Sequence, residues 1–126
     1  MGFRTFEDLE VYKKARELRK MVYQLINQLP KEEKYNLAGQ MRRAALSLTN
    51  NIAEGYGRYH FQENIQYLRQ SRGSLEELMD DLNCCHDEKY FNEDQLEQIR
   101  EMGINVRMFL NGYIKYLRQR KTEIIK

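Results

Sequence analysis

The sequence predicts an all-α protein folded as an antiparallel up-down-up-down four-helix bundle, and three observations support this fold class. Apolar residues recur every three to four positions in four separate stretches, which is the spacing of one helix face. The chain contains a single proline, Pro30, among 126 residues, so few positions interrupt a helix. The connections between the stretches are short, as in bundles of antiparallel neighbours. We expect one domain spanning residues 1–126, because this length suits one hydrophobic core.

The first helix is predicted near residues 6–29 and the second near residues 32–54. Thr5 suits the N-cap of the first helix, and Pro30 restricts the residue before it, so the helix should end there. Glu32 and Glu33 suit the positively polarised first turn of the second helix. The core residues predicted for these helices are Val11, Ala15, Leu18, Val22, Leu25 and Leu29, followed by Leu37, Met41, Ala45, Leu48 and Ile52.

The third helix is predicted near residues 60–85 and the fourth near residues 93–120. Asn92 and Gln95 have the spacing of a capping box, and Phe91 with Leu96 resembles a hydrophobic staple, so this helix start is the most clearly marked in the chain. The core residues predicted here are Phe61, Ile65, Leu68, Leu75, Leu78 or Met79, and Leu82, followed by Leu96, Ile99, Gly103, Val106, Leu110, Tyr113 and Leu117.

Composition argues against several classes of protein. The 21 basic and 19 acidic residues give a formal charge of +2, which is a weak bias for a dedicated nucleic-acid-binding protein. No apolar run approaches the roughly 20 residues of a membrane span, and the N-terminus lacks an apolar signal core. Cys84 and Cys85 are adjacent, so they cannot cross-link distant parts of the fold. We therefore expect a cytoplasmic protein without a membrane partner.

The predicted second helix carries a further series of residues that are small or polar. Gln40, Ala44, Ser47, Asn51 and Glu54 recur at steps of four and three, which places them on one helix face. A buried polar group without a hydrogen bond costs about 1–3 kcal/mol, so these side chains should be hydrogen-bonded. We interpret Gln40, Ser47, Asn51 and Glu54 as a structural polar ladder that faces the third helix.

Gly55 and Gly57 are predicted to end the second helix and to begin the turn into the third. An antiparallel hairpin centred on this turn would bring small residues of both helices together, so the two backbones could approach closely. Its register predicts three neighbouring pairs, namely Ala44 with Ser71, Gln40 with Ser74, and Asn51 with Asn64. Across the same hairpin, we expect Glu76 or Glu77 to pair with Arg42 or Arg43.

Several motifs together resemble a known bacterial family. They lie at residues 6–9, 29–35, 40–45 and 73–77, with Asn51-Ile52-Ala53-Glu54-Gly55 and Gly57-Arg58 between them. With these motifs nearly the whole chain resembles the four-helix-bundle proteins encoded in intervening sequences of 23S ribosomal RNA genes. The resemblance implies a ring-shaped homopentamer, distantly similar to the accessory protein of diversity-generating retroelements, which binds a reverse transcriptase and nucleic acid. It assigns no defined biochemical role.

No group of residues in the sequence has the pattern of a catalytic, cofactor or metal site. Cys84, Cys85 and His86 include good zinc ligands, but the other histidine, His60, is 26 residues away, about 39 Å along a helix. Adjacent carboxylates such as Asp80 and Asp81 diverge on a helix, whereas acid–base chemistry needs two that converge. We expect no enzymatic activity, no cofactor and no bound metal.

The sequence leaves two kinds of function open, namely a protein-interaction scaffold and a protein that binds RNA or DNA. Extra apolar residues on the fourth helix favour self-association: Met102, Met108, Phe109, Ile114 and Tyr116. Basic residues are candidates for nucleic-acid contact: Arg42, Arg43, Arg58, Lys115, Arg118, Arg120 and Lys121. Tyr56, Tyr59 and Tyr116 could stack on bases. In a ring, the repeated basic tails would form a collar, although cations near a helix C-terminus also complement the helix dipole.

Overall fold

The computed structural model describes residues 5–125, with side chains for residues 5–121, and it contains four α-helices and no strand in that range. The helices are α1 (Glu10–Ile26), α2 (Leu37–Tyr56), α3 (Phe61–Asp87) and α4 (Glu93–Ile125). Short 3-10 turns, Phe6–Asp8 and Lys31–Glu33, precede α1 and α2. The all-α fold class is confirmed, and the differences from the predicted boundaries have local causes.

The start of α1 differs from the prediction because Thr5 caps the 3-10 turn rather than the α-helix. The Thr5 hydroxyl accepts a hydrogen bond from the Glu7 amide at 3.2 Å, and the Asp8 carboxylate accepts one from the Thr5 amide at 3.2 Å. Leu9 then adopts an extended conformation, so α1 begins at Glu10 instead of near residue 6.

The connection from α1 to α2 is longer than predicted. α1 ends at Ile26 rather than near residue 29, and α2 begins at Leu37 rather than near residue 32. Glu33 lies before α2, where its carboxylate accepts hydrogen bonds from the Leu37 amide at 3.4 Å and the Asn36 side chain at 3.0 Å. It also accepts one from the Tyr90 hydroxyl at 2.6 Å, which joins this connection to the turn between α3 and α4. Glu33 is thus an acceptor just before α2 instead of a residue of its first turn.

The start of α4 confirms the predicted capping box. The Asn92 side chain accepts a hydrogen bond from the Gln95 amide at 2.9 Å, and the Gln95 side chain accepts one from the Asn92 amide at 2.8 Å. Phe91 and Leu96, the predicted staple, are both buried. α4 continues to Ile125, five residues beyond the predicted end near residue 120, and α3 spans Phe61–Asp87 rather than 60–85.

The apolar stripes of the four helices form one core. Three predicted core residues, Leu29, Phe61 and Tyr113, are only partly buried. Ile114 was predicted to lie outside the core stripe of α4 but is 1% exposed. α4 therefore turns a slightly different face to the core near its C-terminal end.

Contacts along α3 and α4 show that these two neighbouring helices run antiparallel. Between α3 and α4, Gln62 meets Lys121, Glu76 meets Arg107, and Asn83 meets Arg100, so the residue numbers rise on one helix as they fall on the other. Close approaches join α1 with α2, α2 with α3, α3 with α4 and α4 with α1, and none joins helices across the diagonal within the described residues. The α2–α3 face and the α1–α4 face therefore lie on opposite sides of the bundle.

Candidate functional site

Two residues of the polar ladder, Ser47 and Asn51, are hydrogen-bonded where α2 faces α3. The hydroxyls of Ser47 and Ser74 are 2.8 Å apart, and the Asn51 side-chain amide donates to the hydroxyl of Ser47 at 3.0 Å and to its carbonyl at 2.9 Å. Ser71, which is fully buried, donates to the Leu48 carbonyl at 2.6 Å. These small polar side chains are thus hydrogen-bonded where the backbones of α2 and α3 approach each other.

The predicted register of the α2–α3 hairpin is wrong. Ser74 faces Ser47 rather than Gln40, and Asn64 lies against Gly55 rather than Asn51. The prediction centred the hairpin on a turn at residues 55–60, but α2 continues through Gly55 to Tyr56, so the turn begins later. The later turn shifts every pair along the two helices.

Gly55 has a packing role instead of the predicted role in helix termination. It is buried within α2, and a Cβ atom at this position would lie 2.7 Å from Asn64 Oδ1 and 2.9 Å from Tyr67 Cβ. Gly57 is the C-cap residue, with a helical φ of −75°, so it ends the helix as predicted but without a left-handed conformation. Asn64 is itself buried, and its Oδ1 has no hydrogen-bond partner among the described residues.

Arg58 is engaged within the subunit. Its guanidinium lies 2.7 Å from a Glu54 carboxylate oxygen, 3.8 Å from Glu63 and 2.6 Å from the Tyr67 hydroxyl, and it stacks over the Tyr67 ring at 4.8 Å. The hydrogen bond to Glu54 raises the pKa of Arg58 above its ordinary value. Glu54, predicted as a ladder residue facing α3, is exposed and pairs with this arginine at the end of the helix. Arg58 therefore links α2 to α3.

The other predicted basic residues fall into two separate groups. Lys121 contacts Gln62 at the start of α3, so the C-terminal part of α4 lies beside the turn between α2 and α3, and exposed Lys115, Arg118 and Arg120 belong to this basic end. Arg42 and Arg43 lie near the start of α2, roughly 20 Å from that end at 1.5 Å per residue. The structure does not bring all seven residues together.

Arg42 and Arg43 also face different neighbours. Arg42 stacks over the Tyr23 ring of α1 at 4.6 Å, whereas Arg43 lines a groove between α2 and α3. Neither forms the predicted ion pair with Glu76 or Glu77 within the described residues, since Glu76 makes a bidentate pair with Arg107 of α4 at 2.6 and 2.7 Å. This pair lowers the pKa of Glu76.

The α2–α3 groove has a volume of about 570 Å³ and is acidic at one end. Gln40 lies on its α2 wall, and the groove is lined by Gln40, Arg43, Ala44, Ser47, Ser74, Glu77, Asp80 and Asp81. Asp81 is only 8% exposed, and burial together with the charges of Asp80 and Glu77 raises its pKa to about 6. Adjacent carboxylates diverge on a helix, so the pairing of Asp80 with Asp81 in the sequence did not predict this site. The spacing of four between Glu77 and Asp81 is the signal that does predict convergence.

The cysteines and histidines do not form one cluster. Cys84 is exposed, whereas Cys85 is buried with its sulfur 3.8 Å from that of Met41, and burial raises its pKa to about 11. His86 lies 3.7 Å from Glu93, and His60 is at the opposite end of α3. Within residues 5–121, no three side chains among His, Cys, Asp and Glu are placed to hold a metal ion.

The α1–α4 face carries an apolar groove of about 460 Å³. Met108 is 67% exposed and Tyr116 is 52% exposed on α4, and the groove is lined by Leu9, Glu10, Val11, Met108, Phe109, Gly112, Tyr113 and Tyr116. Lys14 of α1 lies over the Phe109 ring at 5.8 Å, beside the exposed charges of Glu10 and Lys13. The groove thus has an apolar floor and a charged rim.

Comparison with known protein families identifies a match over most of the chain. The family model described as 23S rRNA-intervening sequence protein matches residues 7–112, which extends from before α1 into α4. No curated protein matches the chain. None of the described helices is long and apolar enough to cross a membrane.

Proposed function

The chain belongs to the family of 23S rRNA-intervening sequence proteins, and on this premise we propose that it is a non-enzymatic protein that associates with copies of itself. The assembled form would act as a protein-interaction scaffold. The observation that carries this proposal is the exposed apolar groove between α1 and α4. The ring-shaped homopentamer implied by the family resemblance supports a second copy of the chain as its occupant.

The groove has the composition of a protein interface. Methionine and aromatic residues are enriched in the cores of such interfaces, and the rims are polar. Met108 and Tyr116 supply the exposed apolar surface, while Glu10 and Lys14 supply charges beside it. In a closed ring, each contact joins this face of one subunit to a different face of the next. A contiguous apolar patch of this kind on a helical protein favours association over exposure to water.

Light scattering of the purified protein tests self-association. We expect a mass about five times 15.3 kDa for the unchanged chain and 15.3 kDa for the double variant Met108→Glu/Tyr116→Glu. Leu46→Glu is the matched control, because Leu46 is also an exposed apolar residue, 43% exposed, but lies on α2 outside the groove. Circular dichroism should show the same helix content in all three proteins.

A monomeric mass for the unchanged chain would refute the proposal, as would equal dissociation of the Leu46→Glu control. The scaffold role needs a separate test, in which a defined protein copurifies with the assembled form after nuclease treatment. Loss of that protein on nuclease treatment would instead favour a nucleic-acid-dependent contact.

Binding of RNA or DNA is the second candidate function, and the basic end of the bundle supports it. Lys115 and Lys121 lie at the same end as Tyr59, which is 92% exposed and available to stack on a base. Repetition of this end in a ring would give a collar of positive charge. Arg58 is the weaker candidate there, since Glu54 and Glu63 neutralise it.

Affinity for a structured rRNA fragment at several salt concentrations tests this second function. We expect binding that falls steeply with salt and is lost on charge reversal of Arg118, Arg120 and Lys121 to Glu. A control with the same change in charge on α1 should retain binding, namely reversal of Lys13, Arg16 and Lys20. Binding that is absent, or that does not depend on salt, would exclude the basic end as a nucleic-acid site.

A further inference from the structure

Asp81 is a buried carboxylate that receives no hydrogen bond or ion pair within the described part of the chain. It is 8% exposed, and it lines the α2–α3 groove beside Glu77 and Asp80 of the same helix. A buried charge without a partner is strongly unfavourable, so proteins pair such groups or neutralise them. The carboxylate of Asp81 therefore has no counter-charge among the described residues of the chain.

The charged groups around Asp81 show why it lacks a partner. On α3, Glu77 and Asp80 are both negative and, with burial, raise the pKa of Asp81. Cys85, one turn further along, is buried as a thiol. On α2, Arg43 is the one cation lining the groove, and no ion pair joins it to these carboxylates in the described residues. The groove thus combines three carboxylates with a single arginine that does not neutralise them.

The groove also has room for a ligand. Its middle is lined by the small residues Ala44, Ser47 and Ser74, and its volume is about 570 Å³. The two serine hydroxyls bond to each other at 2.8 Å and keep acceptor lone pairs for a further donor. A ligand with several N–H donors therefore finds oxygen acceptors along the groove as well as at its acidic end.

We propose that this groove is a binding site for a guanidinium or primary ammonium group, held by the carboxylates of Asp81, Glu77 and Asp80. An organic cation fits better than a metal ion, because no three ligating side chains in the described part of the chain converge on one point. A guanidinium presents up to five N–H donors in a plane, which suits carboxylates spread over about one helical turn. The cation is either a free small molecule or a basic side chain of a second copy of the chain.

Calorimetric titration with agmatine, which carries one guanidinium and one primary ammonium group, tests the site directly. At pH 7.5 we expect binding that weakens at least tenfold in Asp81→Asn. Glu97→Gln, which removes an exposed carboxylate from α4 outside the groove, should bind agmatine as the unchanged chain does. Urea, which has a similar shape but no charge, should not bind. Equal binding of agmatine by Asp81→Asn would overturn the proposal, as would equal binding of urea.

Light scattering distinguishes the two sources of the cation. If a neighbouring copy fills the groove, Asp81→Asn lowers the mass and agmatine competes with assembly. If a small cation fills it, the mass is unchanged and agmatine binds. An unchanged mass together with no binding of agmatine would refute the site. The Met108→Glu/Tyr116→Glu variant leaves the groove intact and should still bind agmatine, so failure of the apolar interface and failure of the cation site are separate results.

Discussion

The two opposite faces of the bundle are built from different kinds of residue. On the α2–α3 face, the small residues Ala44, Ser47 and Ser74 lie between the helices, and the backbones approach more extensively than in any other pair. On the α1–α4 face, Met108 and Tyr116 project large apolar side chains into solvent. The polar groups of the first face are largely hydrogen-bonded within the subunit, whereas the second face leaves apolar surface exposed to solvent.

This difference separates residues that maintain the fold from residues available for association. A close helix pair depends on small side chains, because any added volume must displace a backbone or a packed neighbour. An exposed apolar face contributes little to the folded subunit, because its side chains remain in water. Asp81 is the exception on the first face, since it is buried but has no counter-charge in the described residues. Substitutions on the two faces should therefore affect different measurements.

The largest effect on stability is expected for Gly55→Ala. The added Cβ would lie 2.7 Å from Asn64 Oδ1 and 3.1 Å from the Asn64 backbone carbonyl oxygen, and a backbone cannot move aside as a flexible side chain can. We expect the free energy of unfolding to fall by about 1–3 kcal/mol, measured by urea denaturation.

Gly73 gives the matched control for this substitution. It lies within α3 in an exposed position, and no atom lies within 4 Å of a Cβ placed there. Gly73→Ala should increase the free energy of unfolding by roughly 0.5–1 kcal/mol, because alanine restricts the unfolded chain and favours the helix. A Gly55→Ala variant as stable as Gly73→Ala would show that α2 and α3 are not tightly packed at Gly55.

The next largest effect is expected for Asp81→Asn, and it should increase stability. Burial and the neighbouring carboxylates raise the pKa of Asp81 to about 6, so ionisation at neutral pH disfavours the folded state. At about 1.4 kcal/mol per pKa unit, and allowing for relaxation of the structure, we expect a gain of about 1–2 kcal/mol at pH 7 without an added cation. Asp80→Asn, which changes an exposed carboxylate in the same groove, should have a smaller effect.

The gain in stability of Asp81→Asn should depend on pH, because the pKa of Asp81 is raised in the folded protein. An unfolded aspartate has a pKa of about 3.9, so between that value and about 6 the folded protein binds more protons than the unfolded chain. The contribution of Asp81 to stability is therefore full below pH 4 and decreases as the pH rises through 6. The difference between Asp81→Asn and the unchanged chain should be small at pH 4 and complete above pH 7. A constant difference across this range would contradict the shifted pKa.

Much of the fold, but only part of the candidate site, could be predicted from the sequence. Apolar spacing and local caps depend on residues a few positions apart, so the four helices and the Asn92–Gln95 box were predicted. The α2–α3 register was not, because it depends on the close contact of Gly55 with Asn64 and Tyr67. The groove at Asp81 was not predicted for the same reason, since burial of a carboxylate depends on which helix faces it.

The smallest expected effects distinguish a hydrogen bond on the first face from a surface contact on the second. Ser74→Ala removes the partner of the Ser47 hydroxyl, which is 2.8 Å away and half-buried, and should lower the free energy of unfolding by about 0.5–1.5 kcal/mol. Lys14→Ala removes a partly buried lysine whose cation lies 5.8 Å from the centre of the Phe109 ring, which should cost about 0.5 kcal/mol or less.

A double-mutant cycle with Ser47→Ala isolates the energy of the serine pair. Because Asn51 also donates to the Ser47 hydroxyl at 3.0 Å, Ser47→Ala alone should be more destabilising than Ser74→Ala alone. A coupling energy near zero between the two serines, together with a larger loss for Lys14→Ala, would reverse the assignment of the two faces. The α2–α3 hydrogen bonds would then be incidental to the fold, and the α1–α4 face would be the one that stabilises the subunit.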